Sequence, residues 1–240
     1  MKNELICCGR KFRADVRTVS DMGSVAMDKK WLAGADGNTP VYYMFRDVWK
    51  KPSDREILRK SGVRYDITVI PPCRMGREFV KTYGHGHPRP AGSRHTYPEL
   101  YEVLEGDAHY LLQGIGKSPG DIIVVYAKKG DVVLVPPDYE HVTINPSRSM
   151  LKMANLVAEF VSDYSRIRRM GGAAYFETTG REWVRNPSYG DVPALEFVKP
   201  LGNFRSNIYA LLKNPEKLSF LSNPDEALGI SSNLWKVISK

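Results

Sequence analysis

The 240-residue sequence lacks the features that mark membrane-spanning and secreted proteins. No apolar run approaches the roughly 20 residues that a transmembrane helix needs. Residues 1–16 contain no long apolar stretch followed by a small-residue cleavage site, so we expect no secretory signal. Only three cysteines are present (Cys7, Cys8 and Cys73), too few for a disulfide framework, and the adjacent pair does not have the usual ligand spacing. We therefore expect a cytoplasmic protein that does not interact with a membrane.

Acidic residues are fewer than basic ones, which bears on the partners to expect. The chain carries 35 Lys and Arg against 27 Asp and Glu, a formal charge of +8. A basic protein can bind nucleic acid, or it can draw a small phosphorylated molecule into a site. The basic residues are scattered and form only short runs, such as Lys128-Lys129 and 166–169. We therefore expect no nucleic-acid partner and a largely solvated basic surface.

Long helical patterns are also missing, and short strand-like runs dominate the sequence. From residue 64 onward, segments rich in β-branched and aromatic residues recur at near-regular spacing between clusters of Gly and Pro. Many short strands without long intervening helices are typical of a closed barrel or a jelly roll. We predict an all-β fold that includes N-terminal strands. The individual strands are predicted near 41–49, 64–70, 78–83, 99–104, 108–113, 121–126, 131–135, 141–145 and 150–160, with a hairpin over 173–186.

The two ends of the chain have weaker patterns. Residues 1–14 join no predicted element, and short helical turns are predicted at 27–32 and 53–60. After residue 189 the composition changes to an extended linker followed by two short helices interrupted by prolines. The predicted division is an N-terminal segment, a single β domain and a short helical C-terminal extension, with bounds 1–14, 15–189 and 190–240.

Histidine is scarce, yet three of the five histidines occupy motif positions together with a carboxylate. The order is His85, His87, Glu99 and His141, and these residues lie between short strand-like runs. Residues two apart on a strand project from the same face, so His85 and His87 should point in one direction. Three imidazoles and a carboxylate suit a divalent transition metal with open positions. We predict a metal site here, and we assign no site role to the two other histidines, His95 and His109.

The spacing around this stretch matches a known pattern. Six residues separate Glu99 from Gly106, and the second half of the stretch reads G-x5-P-x-D-x2-H-x3-N. The fixed positions of that second half are Gly130, Pro136, Asp138, His141 and Asn145. In these residues the chain resembles a monocupin, which implies a double-stranded β-helix (jelly-roll barrel) with the metal at its mouth. One departure is an insertion of eleven residues, 88–98, between the second histidine and the glutamate, and we expect it to form a loop over the mouth.

A closer resemblance covers roughly residues 15–190. The chain is similar to the archaeal-type cupin glucose-6-phosphate isomerases, whose signature T-x-G-H-x-H is followed by E-x-Y. Here the signature residues are Thr82, Gly84, His85, His87, Glu99 and Tyr101. The other segments that carry the resemblance are 20–22, 67–79, 99–113, 130–145, 163–172 and 184–187. The resemblance implies a homodimer that interconverts glucose 6-phosphate and fructose 6-phosphate in glycolysis and gluconeogenesis. It also implies one divalent ion per subunit, with Fe²⁺ expected and Mn²⁺, Ni²⁺ or Zn²⁺ as alternatives.

The resemblance also assigns roles to individual residues. Glu99 and Tyr101 are the predicted catalytic residues, with Glu99 shuttling a proton through a cis-enediol. Since Glu99 is also a predicted metal ligand, a metal-assisted hydride shift with Glu99 as ligand alone is the alternative mechanism. The predicted substrate-binding residues are Thr68, Thr82 and Gly84, together with Arg89 and Arg94 of the 88–98 loop.

Two positions depart from the pattern, and other functions stay open. Tyr83 stands where related proteins often have Lys, and Ser162 stands where they often have His. Within enzymes, the same ligands would serve a non-haem iron dioxygenase. A non-catalytic sugar-binding cupin is the alternative from a different class, and mannose 6-phosphate is a plausible second substrate of an isomerase.

Overall fold

A computed structural model of the chain describes residues 3–116, 118–201 and 207–228. Sixteen strands and four α-helices are assigned within these ranges. The strands are β1 (Glu4–Cys7), β2 (Arg10–Arg13), β3 (Asp15–Thr18), β4 (Pro40–Phe45), β5 (Val63–Ile70), β6 (Arg74–Met75), β7 (Glu78–Lys81), β8 (Glu99–Glu105), β9 (Asp107–Gly114), β10 (Ile122–Lys128), β11 (Val132–Val135), β12 (Tyr139–Asn145), β13 (Leu151–Ala158), β14 (Tyr175–Glu177), β15 (Trp183–Arg185) and β16 (Leu195–Val198). The helices are α1 (Lys29–Gly34), α2 (Pro52–Lys60), α3 (Ser165–Arg169) and α4 (Ser219–Ser222).

Two six-stranded sheets form the body of the fold. Sheet I has the strand order β16-β10-β9-β12-β7-β6, and sheet II has the order β11-β8-β13-β5-β4-β3. Successive strands from β10 to β13 alternate between the two sheets, and their pairings with β8 and β9 are antiparallel. This topology confirms the predicted jelly roll, or double-stranded β-helix.

The alternation of side chains along β8 explains how the core is divided. Tyr101 and Val103 face inward and pack with Tyr110 of β9 in the cluster between the sheets. Leu100, one residue out of phase, belongs to a second cluster on the outer face of sheet II. Because side chains on a strand alternate between faces, Glu99 shares the inward face with Tyr101. The inner face therefore carries both the apolar core and the polar residues of the mouth.

The N-terminal strands of the predicted fold are present, and they include residues to which the sequence assigned no element. Residues 4–13 form the hairpin β1–β2, and β3 adds to the edge of sheet II by pairing with β4. The hairpin turns at Cys8 and Gly9, which both have positive φ angles (48° and 77°). The sequence of this turn lacks the Asn-Gly or Asp-Gly dipeptides that most readily indicate a hairpin.

The C-terminal prediction is partly wrong. The expected linker contains β16, which pairs in parallel with β10 at the edge of sheet I. Beyond it are 3-10 turns at Ile208–Lys213 and Pro215–Leu218, then α4 and a helical stretch over 224–228. Other parts of the predicted extension, 202–206 and 229–240, lie outside the described residues. The division of the chain at residues 14 and 189 stays a prediction.

Most of the remaining elements agree with expectation, but the two-residue strand β6 and a 3-10 turn at Pro187–Tyr189 were not predicted. Helices α1 and α2 occupy the two predicted helical segments, and β14–β15 form the hairpin predicted over 173–186. The five-residue helix α3 was not predicted. Among the described helices, none is long and apolar enough to cross a bilayer.

Candidate metal centre

A backbone bridge brings two of the predicted histidines, His85 and His141, together. His85 and His87 do not lie on a continuous strand. They follow β7 in a short extended segment that runs beside β12. The His85 N–H donates to the His141 carbonyl oxygen at 3.2 Å, and the His141 N–H donates to the His85 carbonyl oxygen at 3.0 Å. These two hydrogen bonds fix His85 directly opposite His141.

Gly84 allows this close approach. Its φ angle is +83°, and a Cβ atom at this position would lie 2.6 Å from Cγ2 of Val142 on β12. A larger residue would both strain the backbone and push the segment away from β12. The glycine of the T-x-G-H-x-H signature therefore has a structural role in placing His85.

The fourth residue, Glu99, meets the histidines from the opposite sheet. One potential ligand atom from each of His85, His87, Glu99 and His141 lies within 4.8 Å of the other three. Oε2 of Glu99 is 3.1 Å from Nε2 of His87 and 3.3 Å from Nε2 of His141. The structure thus brings together all four predicted ligands.

Polar atoms left without hydrogen-bond partners support a metal at this point. Nε2 of His87 and Oε2 of Glu99 are buried and lack a properly directed hydrogen bond, although they lie 3.1 Å apart. Leaving buried polar atoms unsatisfied is costly unless a ligand or an ion completes them. Three imidazole nitrogens and one carboxylate oxygen are donors that divalent transition metals accept. The residues fit a metal ion.

The protonation states also suit metal binding. Burial, reinforced by the neighbouring histidines, holds the pKa of His85 well below its usual range. Burial likewise lowers the pKa of His141 to about 4, although the carboxylate of Glu99 opposes this shift. Burial alone would raise the pKa of Glu99, but contacts with His87 and His141 outweigh it and leave the pKa below the usual value. Neutral imidazoles and an ionised carboxylate are the forms that coordinate metals.

Tyr101 adds a hydroxyl beside this cluster. It lies two residues beyond Glu99 on β8, and its hydroxyl is 3.1 Å from Nε2 of His141. Burial and the nearby Glu99 carboxylate raise the pKa of Tyr101 well above its usual value, so the phenol keeps its proton. A protonated phenol here can donate a hydrogen bond to a bound oxygen atom.

A cavity opens onto the cluster. Of the predicted substrate-binding residues, Thr68, Thr82 and Gly84 line it. Arg89 and Arg94 are exposed on their loop and are not among the lining residues. The structure therefore brings three of the five predicted residues to the cavity.

Sequence reasoning missed much of the cavity wall. The additional lining residues include Tyr42, Met44, Arg46, Arg64, Met153, Asn155, Val157, Phe160 and Tyr164. Arg64 could have been predicted from the sequence. It lies four residues before Thr68 on β5, so its side chain projects from the same face as that of a predicted substrate-binding residue. No comparable pattern marks Arg46, which follows β4 at its end.

The inserted loop contacts the metal centre through the ring of His87. Residues 88–98 contain no helix or strand, as predicted, and the carbonyl oxygen of Tyr97 lies 2.7 Å from Nδ1 of His87. His95 pairs with Asp138 at 2.6 Å, and the backbone N–H of Thr96 donates to the same carboxylate. The sequence offered no reason to assign His95 a role. In the structure, it anchors the loop to Asp138, the residue just before β12.

The two departures from the family pattern have different settings. Tyr83 points away from the cavity, with its hydroxyl 2.6 Å from Oγ of Ser24 and accepting from Nε of Arg168 at 3.2 Å. Ser162 lines the cavity. The other unassigned histidine, His109, pairs with Glu177 at 2.8 Å and has no contact with the cluster.

Comparison with known proteins extends these observations. The family model described as glucose-6-phosphate isomerase (GPI) matches residues 16–194. A glucose-6-phosphate isomerase of Thermococcus litoralis is 28% identical over 181 residues, which cover 74% of this chain and 88% of the relative. A glucose-6-phosphate isomerase of Pyrococcus furiosus is 28% identical over 161 residues, covering 66% and 78% respectively. A solved recombinant oxalate oxidase in complex with glycolate overlaps 61% of this chain and 56% of its own at 16% identity, with a TM-score of 0.37. Nothing about function follows from that structural overlap.

Proposed function

The chain belongs to the glucose-6-phosphate isomerase family, and we propose that it interconverts glucose 6-phosphate and fructose 6-phosphate at the cavity described above. The observation that carries the proposal is the convergence of His85, His87, Glu99 and His141 in a chain that matches the family model over residues 16–194. Aldose–ketose isomerisation moves a hydrogen between C1 and C2 of the sugar while negative charge develops on the carbonyl oxygen. The site must therefore move this hydrogen, as a proton through an enediol or as a hydride in the alternative mechanism, and stabilise an oxyanion.

Three imidazoles and one carboxylate are the residues we propose as metal ligands. A bound divalent ion would supply Lewis-acid polarisation of the sugar carbonyl. Fe²⁺ is the ion we propose, with Mn²⁺, Ni²⁺ and Zn²⁺ as alternatives, because this donor set accepts each of them.

Glu99 is the residue we propose for proton transfer. Of the described residues that line the cavity, Glu99 alone has a carboxylate. Its lowered pKa keeps it ionised and able to accept a proton from the sugar carbon. Tyr101, whose phenol stays protonated, is proposed to donate a hydrogen bond to a substrate oxygen.

The substrate's phosphate needs hydrogen-bond donors in the cavity. Thr68 and Thr82 offer hydroxyls and Gly84 offers a backbone N–H, and we retain all three as proposed contacts. Arg89 and Arg94 remain proposed contacts only if their loop moves toward the cavity on binding. We also propose a cytoplasmic homodimer that acts in glycolysis and gluconeogenesis and does not bind nucleic acid.

The deciding experiment combines metal analysis with turnover. Protein purified without chelator should contain about one divalent ion per chain and should convert fructose 6-phosphate to glucose 6-phosphate in a coupled assay. Chelation should abolish turnover, and adding back Fe²⁺ should restore it. Oxygen uptake without isomerisation would instead indicate a dioxygenase, and sugar-phosphate binding without turnover would indicate a non-catalytic protein.

A further inference from the structure

Two arginines at the cavity share a single buried carboxylate oxygen. Oδ2 of Asp66 accepts from Nη1 of Arg46 at 2.9 Å and from Nε of Arg64 at 2.8 Å. Asp66 is 1% exposed, and its other oxygen accepts the backbone N–H of Asp47 at 3.0 Å. Since both arginines line the cavity, this carboxylate holds two guanidinium groups in fixed positions beside it.

The charges of this group do not cancel. Two guanidinium groups against one carboxylate leave a surplus of one positive charge. Asp15 comes within 3.9 Å of Nε of Arg46, but its side chain is 73% exposed, so solvent screens most of that attraction. Glu99, the other carboxylate at the cavity, also acts on Arg46, but it belongs to the proposed metal centre, where a bound ion would offset its charge. A positive surplus therefore remains at the two arginines.

Hydrogen-bond donors also remain available. Nε of Arg64 is bound to Asp66, whereas its two terminal nitrogens have no hydrogen-bond partner among residues 3–116, 118–201 and 207–228. The side chain of Arg64 is 17% exposed and lies near the ring of Phe160. A guanidinium with free terminal N–H groups in a partly buried position matches the geometry of a phosphate group.

We propose that Arg46 and Arg64, positioned by Asp66, bind the phosphate of the sugar-phosphate substrate and make the site selective for a phosphorylated hexose. This inference rests on the proposed isomerase function and deepens it. It assigns the cationic contacts to residues on β5 and after β4 instead of the exposed Arg89 and Arg94. A phosphate dianion facing the surplus positive charge here would leave the hydroxyl end of the sugar free to reach the metal centre.

The test compares the variants Arg46→Ala and Arg64→Ala with Arg59→Ala. Arg59 is a matched control because it also pairs with a carboxylate, that of Glu56 on α2, but lies on the surface away from the cavity. Each cavity variant should raise KM for fructose 6-phosphate about tenfold or more, the size expected for a lost charge-assisted hydrogen bond. The inhibition constant of inorganic phosphate should rise by a similar factor, while kcat and metal content change little. Arg59→Ala should match the wild type in all four measurements.

Further variants keep the test decisive. If either alanine variant fails to fold, Arg46→Gln and Arg64→Gln keep part of the side chain and an amide N–H donor while removing the charge. At position 64 this amide can replace Nε as the donor to Asp66. Measuring Arg89→Ala and Arg94→Ala alongside tests the loop arginines. The proposal is overturned if KM and the phosphate inhibition constant stay within about twofold of wild type in folded, metal-loaded Arg46 and Arg64 variants. It is also overturned if the increase is confined to the loop variants.

Direct phosphate binding separates this inference from the isomerase proposal. Calorimetric titration of the metal-loaded wild type with inorganic phosphate should detect binding that Arg46→Ala and Arg64→Ala each weaken about tenfold. Binding that shows this pattern in a protein without isomerase turnover would refute the reaction but support the subsite. Turnover with unaltered phosphate binding in the variants would support the reaction and refute the subsite.

Discussion

The carbonyl oxygen of Tyr97 lies 2.7 Å from Nδ1 of His87, so a backbone group of the inserted loop fixes the orientation of a proposed metal ligand. With Nδ1 held in this way, Nε2 of His87 points toward Glu99. Outer partners of this kind set the tautomer and the ring direction of metal-bound histidines. The insertion that interrupts the family spacing therefore helps to position a proposed metal ligand. The hydrogen bond between Thr96 and Asp138, which anchors the loop, offers a test of this role.

Replacing Thr96 should weaken metal binding without touching a ligand. Oγ1 of Thr96 accepts the backbone N–H of Asp138 at 2.7 Å, and Thr96 is buried. Thr96→Val keeps the shape but removes the acceptor, so the loop that carries Tyr97 should loosen. We expect metal affinity to fall about tenfold, measured by competition with a chromophoric chelator. Thr96→Ser, which retains the hydroxyl, should bind nearly as the wild type, and equal affinity in both variants would contradict the supporting role of the loop.

The same substitution at two glutamates of β8 should abolish most activity at one position and leave it unchanged at the other. Glu99→Gln removes the ionised carboxylate from the centre, so metal content should fall and turnover should drop at least about 100-fold. Glu102→Gln is the matched control, because Glu102 faces the other side of sheet II and accepts the Ile208 N–H at 2.8 Å, which an amide oxygen can also do. Metal analysis and the coupled assay check both variants. Full activity in Glu99→Gln would exclude Glu99 from both proposed roles.

The metal centre could be predicted from sequence because its residues have fixed spacings. His85, His87 and His141 are rare residues in recognisable positions, and the structure places them around Glu99 as expected. The arginine cluster could not be predicted in the same way. Arg46 and Asp66 meet only because β4 and β5 are neighbours in sheet II, and no local pattern in either segment indicates that pairing.

The edges of the sheets were hard to predict for a similar reason. β16 has an ordinary extended sequence, and only its parallel pairing with β10, about 70 residues earlier in the chain, makes it a strand. The central strands were predictable because burial on one or both faces imposes an apolar pattern on them. Edge strands such as β3 and β16 are half exposed and carry little of that pattern.

The stability of the metal-free protein should depend on pH. The pKa of His141 is lowered from its usual value of 6.5 to about 4, chiefly by burial, so the unfolded chain binds more protons than the folded one between these values. Stability therefore rises with pH in this window and is lost as the pH falls. For His141 alone, we expect the free energy of unfolding to drop by about 2 kcal/mol between about pH 7.5 and about pH 5.

Denaturant unfolding of chelated protein at the two pH values measures this dependence. His85 shifts in the same direction and adds to this change. Burial raises the pKa of Glu102 and of Glu140, and these two groups act in the opposite direction. The contribution of His141 is therefore taken from the difference between the wild type and a variant. His141→Gln has no titrating group at this position and should show a smaller pH dependence than the wild type. Equal pH dependence in the variant and the wild type would show that His141 does not stay neutral in the folded state.

Two motif glycines should differ in their tolerance of alanine. Gly106 and Gly130 both have φ angles in the left-handed region, +81° and +90°. A Cβ atom on Gly106 would lie 2.4 Å from the carbonyl oxygen of Met150, whereas one on Gly130 would meet nothing within 4 Å. Gly130→Ala should therefore cost only the backbone strain, about 1–2 kcal/mol.

Gly106→Ala should add a collision with backbone that cannot rotate away. We expect the free energy of unfolding to fall by about 3 kcal/mol or more, with the shift appearing as a lower denaturant midpoint at an unchanged slope. Equal losses in the two variants would mean that the turn at Gly106 can move away from β13. Because β13 pairs with β8, such freedom would also move Glu99, so metal affinity measured in the same variant would fall together with stability.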